Sequence, residues 1–434
     1  MELRVLIVAE HASLKFGGEA ALPLHYFRVL RQRNWPAWLV VHARTRDELE
    51  AAFLSDQDRI FYISDTVPHR LLWTLGQVLP ARLASFTTGF LMRCMTQMTQ
   101  RRVIRQLIRD QGISVIHQPM PVSPKEPSMM YGLGVPVVIG PMNGGMEYPP
   151  AFRRMQGPVD RIGIAMGRRI ANLMNRLIPG KRDAAILLVA NERTRAALPT
   201  GTRGRVKTIV ENGVDLKLWK APAPVPSELR ASPTRFAYVG RLVDWKAIDK
   251  LLAAFKRATA AAPMSLVIIG DGVERENLEK IVRDLHLSPA DGDRSGAVSF
   301  LGWMSQAACA EELQNCDVLV LPSLLECGGA VVLEAMSMGM PVIATAWGGP
   351  ADYLDSSCGI LVKPTSADDF VANLSAALIR LANDPDERAA MGRAGRRKVV
   401  EDFDWEAKVD RMLEIYQEAV AGSSTDSLLA AEYE

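Results

Sequence analysis

The sequence has few of the features that mark disulfide scaffolds, metal sites or membrane spans. Its five cysteines are scattered and form no C-x-x-C pair, which argues against disulfides and zinc and is typical of a reducing cytoplasm. The six histidines lack metal-ligand spacing. The apolar run over 318–349 is interrupted by Glu326 and Glu334, so it does not predict a membrane span. The opening MELRVLIVAE lacks the basic segment of a signal peptide, and we therefore expect a cytoplasmic protein.

Acidic residues are missing from one long stretch. Between Asp65 and Asp110 the chain contains seven arginines and no acid, and residues 152–182 again combine arginine with apolar residues. Basic, apolar helices suit an anionic lipid surface, which predicts peripheral association with a membrane, at its inner face. The alternative is a pair of core helices with solvated arginine faces. Aromatic residues do not interleave with the basic ones and no groove-reading motif is present, so we expect no nucleic-acid partner.

Short apolar runs alternate with helical patterns along the whole chain, which is typical of parallel sheets covered on both faces. In the first half, strands are predicted at 4–9, 37–41, 60–64, 113–117, 135–140 and 184–190. In the second half, strands are predicted at 235–240, 265–270, 297–302, 317–322, 341–346 and 359–362. A chain of 434 residues with a proline-rich segment at 220–233 indicates two domains. We therefore predict an α/β fold of two doubly wound, Rossmann-like domains facing each other across a ligand-binding cleft.

The segment LLECGGAVVLEAM places two carboxylates, Glu326 and Glu334, around a pair of glycines. Gly328 and Gly329 carry no Cβ, so their backbone amides can approach a ligand closely. A helix is predicted from about Ala330, and its free amides and positive dipole end favour an anion. Acceptor carboxylates beside such donors suit a ligand with both hydroxyls and phosphates, such as a nucleotide sugar.

The pattern of Glu, seven residues and Glu, followed by AMSMGMPVIATAWGGPADYL, resembles the signature of the retaining glycosyltransferases of family four, which have the GT-B fold. In that family the first Glu, here Glu326, contacts sugar hydroxyls, and the second, here Glu334, holds the nucleotide ribose. The resemblance also implies that main-chain atoms after the first Glu line the donor pocket. These atoms belong to Cys327, Gly328, Gly329 and Ala330.

The segment YVGRLVDWKAIDKLLAAF resembles the Gly-Arg-Leu and Lys of the same family. The resemblance implies that Arg241 and Lys246 hold the leaving diphosphate, whose growing negative charge two fixed cations would stabilise. Ala247 stands where the family usually has glycine. Surface charges at a strand-to-helix turn are the alternative for both cations. Further donor contacts are implied for Gly240, Gly302 and Trp303.

Three segments of the first half complete the predicted site. The loop KFGGEAALPLHYF resembles the loop that reaches the donor phosphate in the family, which implies contacts from Gly17 and Gly18. His117, in SVIHQPM, stands at a strand end where the family often has a sugar-binding histidine, although a structural histidine is equally consistent. Asn143, in GPMNGGMEYPP, is predicted either to bind the acceptor or to shape a turn.

The resemblance implies an enzyme that moves a sugar from a nucleotide-sugar donor to an acceptor with retention of anomeric configuration. We expect the acceptor to be a lipid-linked or membrane-surface glycan in bacterial polysaccharide assembly. The domains are predicted at 1–205, with a returning helix at 405–422, and at 206–404. A sugar-nucleotide epimerase of the same fold and a non-catalytic, membrane-associated nucleotide-binding protein are the alternatives.

We expect neither a metal ion nor a cofactor in the reaction. Three D-x-D triplets, at 56–58, 291–293 and 402–404, do not follow a predicted strand as a metal-binding triplet would, so they are predicted to be solvated acids. GDGVER lacks the third glycine of a dinucleotide fingerprint. No nucleophile elbow is present.

Overall fold

The computed structural model describes residues 2–16, 18–78, 85–221, 233–289 and 296–431. Contacts between residues divide the chain into two units. The N-terminal unit comprises Met1–Gly145, Pro158–Glu211 and Trp405–Glu434, and the C-terminal unit comprises Met146–Gly157 and Asn212–Asp404. Each unit is built on one parallel sheet, so the prediction of two Rossmann-like α/β domains is confirmed.

The sheet of the N-terminal unit has seven strands. They are β1 (Val5–Val8), β2 (Ala37–His42), β3 (Ile60–Ile63), β4 (Val115–Gln118), β5 (Val137–Met142), β6 (Ile186–Val189) and β7 (Arg205–Thr208). Their spatial order is β3-β2-β1-β4-β5-β6-β7, and every neighbouring pair is parallel. β7 was not predicted, because its sequence RVKT is polar and lies at the sheet edge without a fully buried residue.

Helices cover both faces of this sheet. They are α1 (Gly18–Gln32), α2 (Arg46–Ala52), α3 (Val67–Gln77), α4 (Phe90–Gln111), α5 (Pro158–Leu177) and α6 (Glu192–Ala196). Alternate residues of β1 enter different cores, Val5 and Ile7 on one face and Leu6 and Val8 on the other. This period of two explains why the buried strands are apolar throughout.

The sheet of the C-terminal unit has six parallel strands in the order β10-β9-β8-β11-β12-β13. They are β8 (Thr234–Val239), β9 (Met264–Ile269), β10 (Val298–Gly302), β11 (Val318–Leu321), β12 (Val342–Thr345) and β13 (Gly359–Val362). The helices are α7 (Ile248–Ala258), α8 (Arg275–Asp284), α9 (Gln306–Leu313), α10 (Ala330–Ser337), α11 (Pro350–Tyr353), α12 (Ala367–Asn383) and α13 (Pro385–Asp402).

Two segments pack in the unit that does not adjoin them in the sequence. The final helix, α14 (Trp405–Ala431), packs in the N-terminal unit, where Arg33 forms ion pairs with Glu406 and Asp410. Residues 146–157 lie instead with the C-terminal unit, although the predicted division at 205 put them in the first domain. The indole nitrogen of Trp347 donates to the Glu147 carbonyl at 2.8 Å, which anchors this segment.

Strand order reverses once in each sheet, between β1 and β4 in the N-terminal unit and between β8 and β11 in the C-terminal unit. Loops after these neighbouring strands diverge at such a switch point and leave a crevice at the carboxyl end of the sheet. Arg241, Lys246 and Glu326 lie in the loops after β8 and β11. None of the helices within the described ranges is long and apolar enough to cross a membrane.

Candidate active site

An ion pair occupies the switch point of the C-terminal unit. Lys246 lies in the loop after β8, and Glu326 lies in the loop after β11. The Lys246 ammonium donates to the Glu326 carboxylate, and each side chain is only 14% exposed. A backbone bond of 2.9 Å from Leu324 N to the Trp245 carbonyl holds the two loops together. The structure therefore brings two predicted catalytic residues into direct contact.

Arg241 lies beside this pair with its side chain exposed. Its guanidinium carbon is 6.0 Å from the centre of the Trp245 ring, within cation–π range. The buried Tyr238 hydroxyl donates to the Arg241 carbonyl at 3.1 Å. Burial and the negative charge of Glu326 both raise the pKa of Tyr238, so this hydroxyl stays protonated. Arg241 has no carboxylate partner in the described part of the chain and can meet an incoming anion.

Glycines bring the loops after β8, β9 and β10 into backbone contact. Gly270 N donates to the Gly302 carbonyl at 2.8 Å, and Gly240 N donates to the Ile269 carbonyl at 3.0 Å. A Cβ on Gly270 would lie 2.0 Å from the Gly240 carbonyl oxygen. This close approach needs glycine, since any other residue would separate the loops and displace Arg241.

Two further glycines pack closely against the donor loop, residues 326–329. A Cβ on Gly348 would lie 2.3 Å from the Glu326 carbonyl oxygen, and one on Gly349 would lie 2.2 Å from that of Cys327. Gly349 N also donates to the Glu326 carbonyl at 2.9 Å. The sequence WGGP is therefore required by packing against the donor loop. Gly329 itself has a φ of +75°, which lets the chain turn into α10.

Glu334 lies one turn into α10, on the helix that begins at Ala330. Burial raises the pKa of its carboxyl from the ordinary 4.5 to about 7. Within the described ranges, no hydrogen bond or ion pair reaches this carboxylate. A half-buried acid that lacks a protein partner is strained when ionised, and hydroxyl donors from a ligand would relieve that strain.

Ala247 adopts the left-handed conformation, with a φ of 52°, directly before α7. The family has glycine at this position, and the structure shows why, because a residue with a Cβ is disfavoured there by about 1–2 kcal/mol. The loop nevertheless keeps its shape, since Ala247 is buried and Lys246 still reaches Glu326.

The other predicted donor residues lie around the same carboxyl edge of the sheet. Trp303 follows β10 and is 77% exposed. Gly328 is buried, and Cys327 is exposed. In the described part of the chain, no hydrogen bond joins Trp303 to Glu326 or Glu334, so its implied contact with the donor stays a prediction.

His117 occupies a structural position, and the predicted sugar contact is not supported. It has no exposed surface. Its Nε2–H donates to the Gly140 carbonyl at 2.7 Å, and the Tyr416 hydroxyl donates to Nδ1 at 2.7 Å. Burial lowers the pKa of His117 from 6.5 to about 4, so the ring is neutral at physiological pH. The imidazole joins β4, the end of β5 and α14.

Asn143 is also buried, which disagrees with a direct contact to an acceptor. Its side-chain amide donates to Glu211 at 2.8 Å, and its oxygen accepts from Arg193 at 3.3 Å. The residue ties the loop after β5 to two later segments of the N-terminal unit. Its role is to position that loop.

The glycine loop after β1 contains two predicted donor residues, Gly17 and Gly18. Gly17 lies outside the described residues. Gly18 is the exposed first residue of α1, and a Cβ there would meet no atom within 4 Å. Packing therefore does not require glycine at position 18, and its predicted contact with the donor phosphate stays a prediction.

A small cavity of about 30 Å³ at the switch point of the N-terminal unit was not predicted. Arg93 donates to Glu126 at 2.5 Å along one wall, and the Gln118 amide nitrogen lies 3.5 Å from the Gln97 carbonyl oxygen. Gln97 and Gln118 are almost fully buried. In the sequence, the only indication of this cavity was the polar run MTQMTQ within a helical pattern. That run points to a cavity only when β1 and β4 are known to be neighbours in the sheet. The remaining lining residues are Ala9, Glu10, Thr96, Gln100, Met120 and Pro121.

The D-x-D triplets do not form a metal centre in the described ranges, where no group of three or more His, Cys, Asp or Glu could hold an ion. Asp56 pairs with Arg31 at 2.7 Å and is largely buried, so the prediction of a solvated acid is wrong there. The triplet at 291–293 lies outside the described residues.

Comparison with known proteins finds a family match in the C-terminal unit. Residues 223–398 match the family model for glycosyl transferases group 1. This part of the chain is similar to the group 1 glycosyltransferases. The crystal structure of Anabaena HepE in complex with UDP and glucose matches with a TM-score of 0.62 and 17% identity, covering 96% of this chain and 100% of that one. That likeness establishes the shared two-domain GT-B fold.

Two curated proteins show the same relationship in sequence. Glycogen synthase of Mycobacterium tuberculosis is 29% identical over 217 residues, 50% of this chain and 49% of the relative. The GDP-mannose-dependent monoacylated alpha-(1-6)-phosphatidylinositol monomannoside mannosyltransferase of Corynebacterium glutamicum is 31% identical over 221 residues, 48% of this chain and 55% of the relative. The match therefore spans about half the length of these curated group 1 relatives.

Proposed function

We propose that this protein is a retaining glycosyltransferase that moves a sugar from a nucleotide-sugar donor to a lipid-linked or membrane-surface glycan. The observation that carries the proposal is the Lys246–Glu326 ion pair at a switch point, with Arg241 beside it. Anions bind at such crevices, and cations fixed there stabilise a departing diphosphate more than the intact donor.

The donor is held by complementary groups. Arg241, Lys246 and the amides that begin α10 face the diphosphate, while Glu326 accepts hydrogen bonds from sugar hydroxyls. Glu334 accepts from the ribose hydroxyls, which act as the partners that its carboxylate lacks. A UDP-containing relative in the same fold and a GDP-mannose-dependent relative in sequence are consistent with a nucleoside diphosphate as the leaving group.

The reaction requires no general base from the protein. The bond from the anomeric carbon to the diphosphate oxygen loosens, and the acceptor hydroxyl forms its new bond on the same face. The acceptor proton passes to a diphosphate oxygen, whose basicity rises as it leaves. Charge neutralisation comes from Arg241 and Lys246, so we propose a reaction that is independent of a metal ion.

We assign acceptor recognition to the partly exposed Arg93 and Glu126 at the edge of the small cavity in the N-terminal unit instead of Asn143, since a volume of about 30 Å³ admits a water molecule and not a sugar. The Arg93–Glu126 pair offers a donor and an acceptor with a fixed charge of each sign. The buried Gln97 and Gln118 amides behind it are bonded to each other, and their oxygens accept from Met129 N and the Ser128 hydroxyl. Sugar hydroxyls need this mixture, because each one both donates and accepts. The mannosyltransferase relative, which is named for a phosphatidylinositol monomannoside, is consistent with a lipid-linked acceptor.

The deciding experiment is hydrolysis of a panel of UDP-, GDP- and ADP-sugars by the purified protein without acceptor. We expect release of the nucleoside diphosphate from at least one donor, and loss of that release in Arg241→Gln. Lys256→Ala, at an exposed position of α7 in the same unit, is the matched control and keeps full activity. Binding of a nucleoside diphosphate without turnover of any donor, with or without sugar acceptors, would favour a non-catalytic nucleotide-binding protein. Conversion of a donor into a sugar isomer would favour an epimerase.

A further inference from the structure

One face of α5 is apolar and faces solvent. Met166, Ile170, Leu173 and Leu177 follow at helical spacing, and each is more than half exposed. The opposite face is anchored, because the buried Asn175 donates to the Lys125 carbonyl at 2.8 Å. Apolar residues of this kind usually point into a core, and here the core-facing position belongs to an asparagine.

The pair formed by α3 and α4 repeats this arrangement. Val67, Leu71 and Leu75 of α3 are half or more exposed at intervals of four residues. The buried His69, on the other side of α3, contacts the Thr96 hydroxyl of α4 at 3.2 Å. The exposed face of α4 continues the pattern with Leu91 and Met98 in its first half.

The two apolar faces belong to neighbouring elements. Arg93, near the start of α4, donates to Glu126 at 2.5 Å. The preceding residue, Lys125, donates to Asn172 of α5 at 3.1 Å. The segment 125–126 therefore contacts both α4 and α5.

Exposed arginines border the apolar residues. Arg169 and Arg176 flank the stripe on α5, and Arg102 continues the face of α4 beyond Met98. None of these three arginines pairs with an acid in the described ranges. The sequence between Asp65 and Asp110 contains no acid at all. The surface thus combines inserted apolar groups with unneutralised positive charge, which is the composition of helices that lie in an anionic membrane interface.

We propose that the exposed faces of α3, α4 and α5 form a docking face for the surface of a bilayer that contains anionic lipid. The apolar side chains enter the boundary between headgroups and acyl chains, and the arginines bind lipid phosphates. Such docking would bring the proposed enzyme to a membrane-bound acceptor. The docking face rests on the proposed function only for the location of that acceptor. It lies on the unit to which acceptor recognition is assigned.

A second copy of the chain is a poorer occupant of this face. Self-association would place arginines of one copy against arginines of the other with no acid between them, and desolvated like charges disfavour contact. A lipid surface supplies both the apolar phase and the opposite charge. Charge complementarity therefore selects the bilayer.

The test is co-sedimentation of the full chain with vesicles of phosphatidylglycerol and phosphatidylcholine, compared with vesicles of phosphatidylcholine alone. We expect the protein to sediment with the anionic vesicles and the double variant Ile170→Ser/Leu173→Ser to bind at least about tenfold more weakly. Arg169→Gln/Arg176→Gln should weaken anionic binding by about 25-fold, since each of the two interfacial arginines contributes about fivefold. Leu54→Ser, which removes an even more exposed apolar residue elsewhere in the N-terminal unit, should bind as the unchanged protein does.

Protein that stays in the supernatant, or equal losses in Leu54→Ser and the double variant, would overturn the docking face. So would a dimer in analytical ultracentrifugation that the double variant converts to a monomer, because that result assigns the face to a second copy. Donor hydrolysis without vesicles is measured in parallel and should be unchanged in every variant. Intact vesicle binding without hydrolysis of any donor would contradict the proposed reaction alone.

Discussion

Replacement of Glu334 by glutamine should stabilise the protein while weakening its hold on the donor. Glutamine keeps the shape of the side chain and removes the charge that burial disfavours. The pKa of the Glu334 carboxyl rises from 4.5 to about 7. Since one pKa unit corresponds to about 1.4 kcal/mol, ionised Glu334 costs the folded protein about 3 kcal/mol.

The effect has a defined pH window. The folded state holds the Glu334 proton more tightly than the unfolded state does, so stability falls as pH rises from about 4.5 to about 7. Below this window the carboxyl is protonated in both states, and above it the full cost remains. The advantage of the glutamine variant should therefore grow from near zero at about pH 4 to about 3 kcal/mol at about pH 8.

Thermal unfolding without ligand measures this difference. For a unit of this size, about 3 kcal/mol corresponds to an increase of roughly 6–12 °C at about pH 8. Donor affinity, measured by calorimetry, should fall in the same variant because the ribose loses a charged acceptor. Glu276→Gln, on the exposed face of α8, is the matched control and should change neither quantity. Equal unfolding temperatures for the variant and the unchanged protein at pH 8, or a difference independent of pH, would refute the buried-carboxylate reasoning.

The remaining predictions concern the other groups of the site. Lys246→Ala should lower kcat by at least about tenfold, a loss of about 1.4 kcal/mol of transition-state stabilisation; an unchanged kcat would remove Lys246 from the diphosphate site. Gly349→Ala should raise the donor KM by about tenfold, because its Cβ would displace the Cys327 carbonyl. The control Gly157→Ala, where a Cβ meets open space, should leave KM unchanged, and equal KM values for the two variants would contradict the packing role of Gly349. His117→Ala should lower the free energy of unfolding by about 3 kcal/mol, since it leaves the Tyr416 hydroxyl and the Gly140 carbonyl unpaired. Its kcat should be unchanged, and a stable variant without turnover would indicate a catalytic role for His117. Turnover should survive a chelator, and its loss would establish a metal requirement.

Local sequence was sufficient to predict most of the fold. Twelve strands gave apolar runs, because a parallel sheet buried on both faces needs them at every position. β7 escaped prediction, since an edge strand with charged residues carries no such signal. The course of residues 146–157 was also missed, because its contact with Trp347 joins positions 200 residues apart.

The contact between Lys246 and Glu326, in the proposed donor site, was predictable for a related reason. Its groups lie within a few residues of a strand end or a glycine turn, so their placement follows from local geometry. His117 and Asn143 also follow strand ends, yet they are buried by partners distant in the sequence. Tyr416 lies 299 residues from His117, and Glu211 lies 68 residues from Asn143. No local pattern distinguishes a histidine that faces a ligand from one that a distant helix covers.

The most direct test of the central claim is calorimetric titration of the protein with UDP, GDP and ADP, repeated with Arg241→Gln and Glu334→Gln. If the switch-point loops after β8 and β11 hold a nucleoside diphosphate, one of the three should bind the unchanged protein in a single site, and both variants should bind it more weakly. The claim would be contradicted if none of the three nucleotides bound, or if both variants bound the nucleotide as tightly as the unchanged protein does.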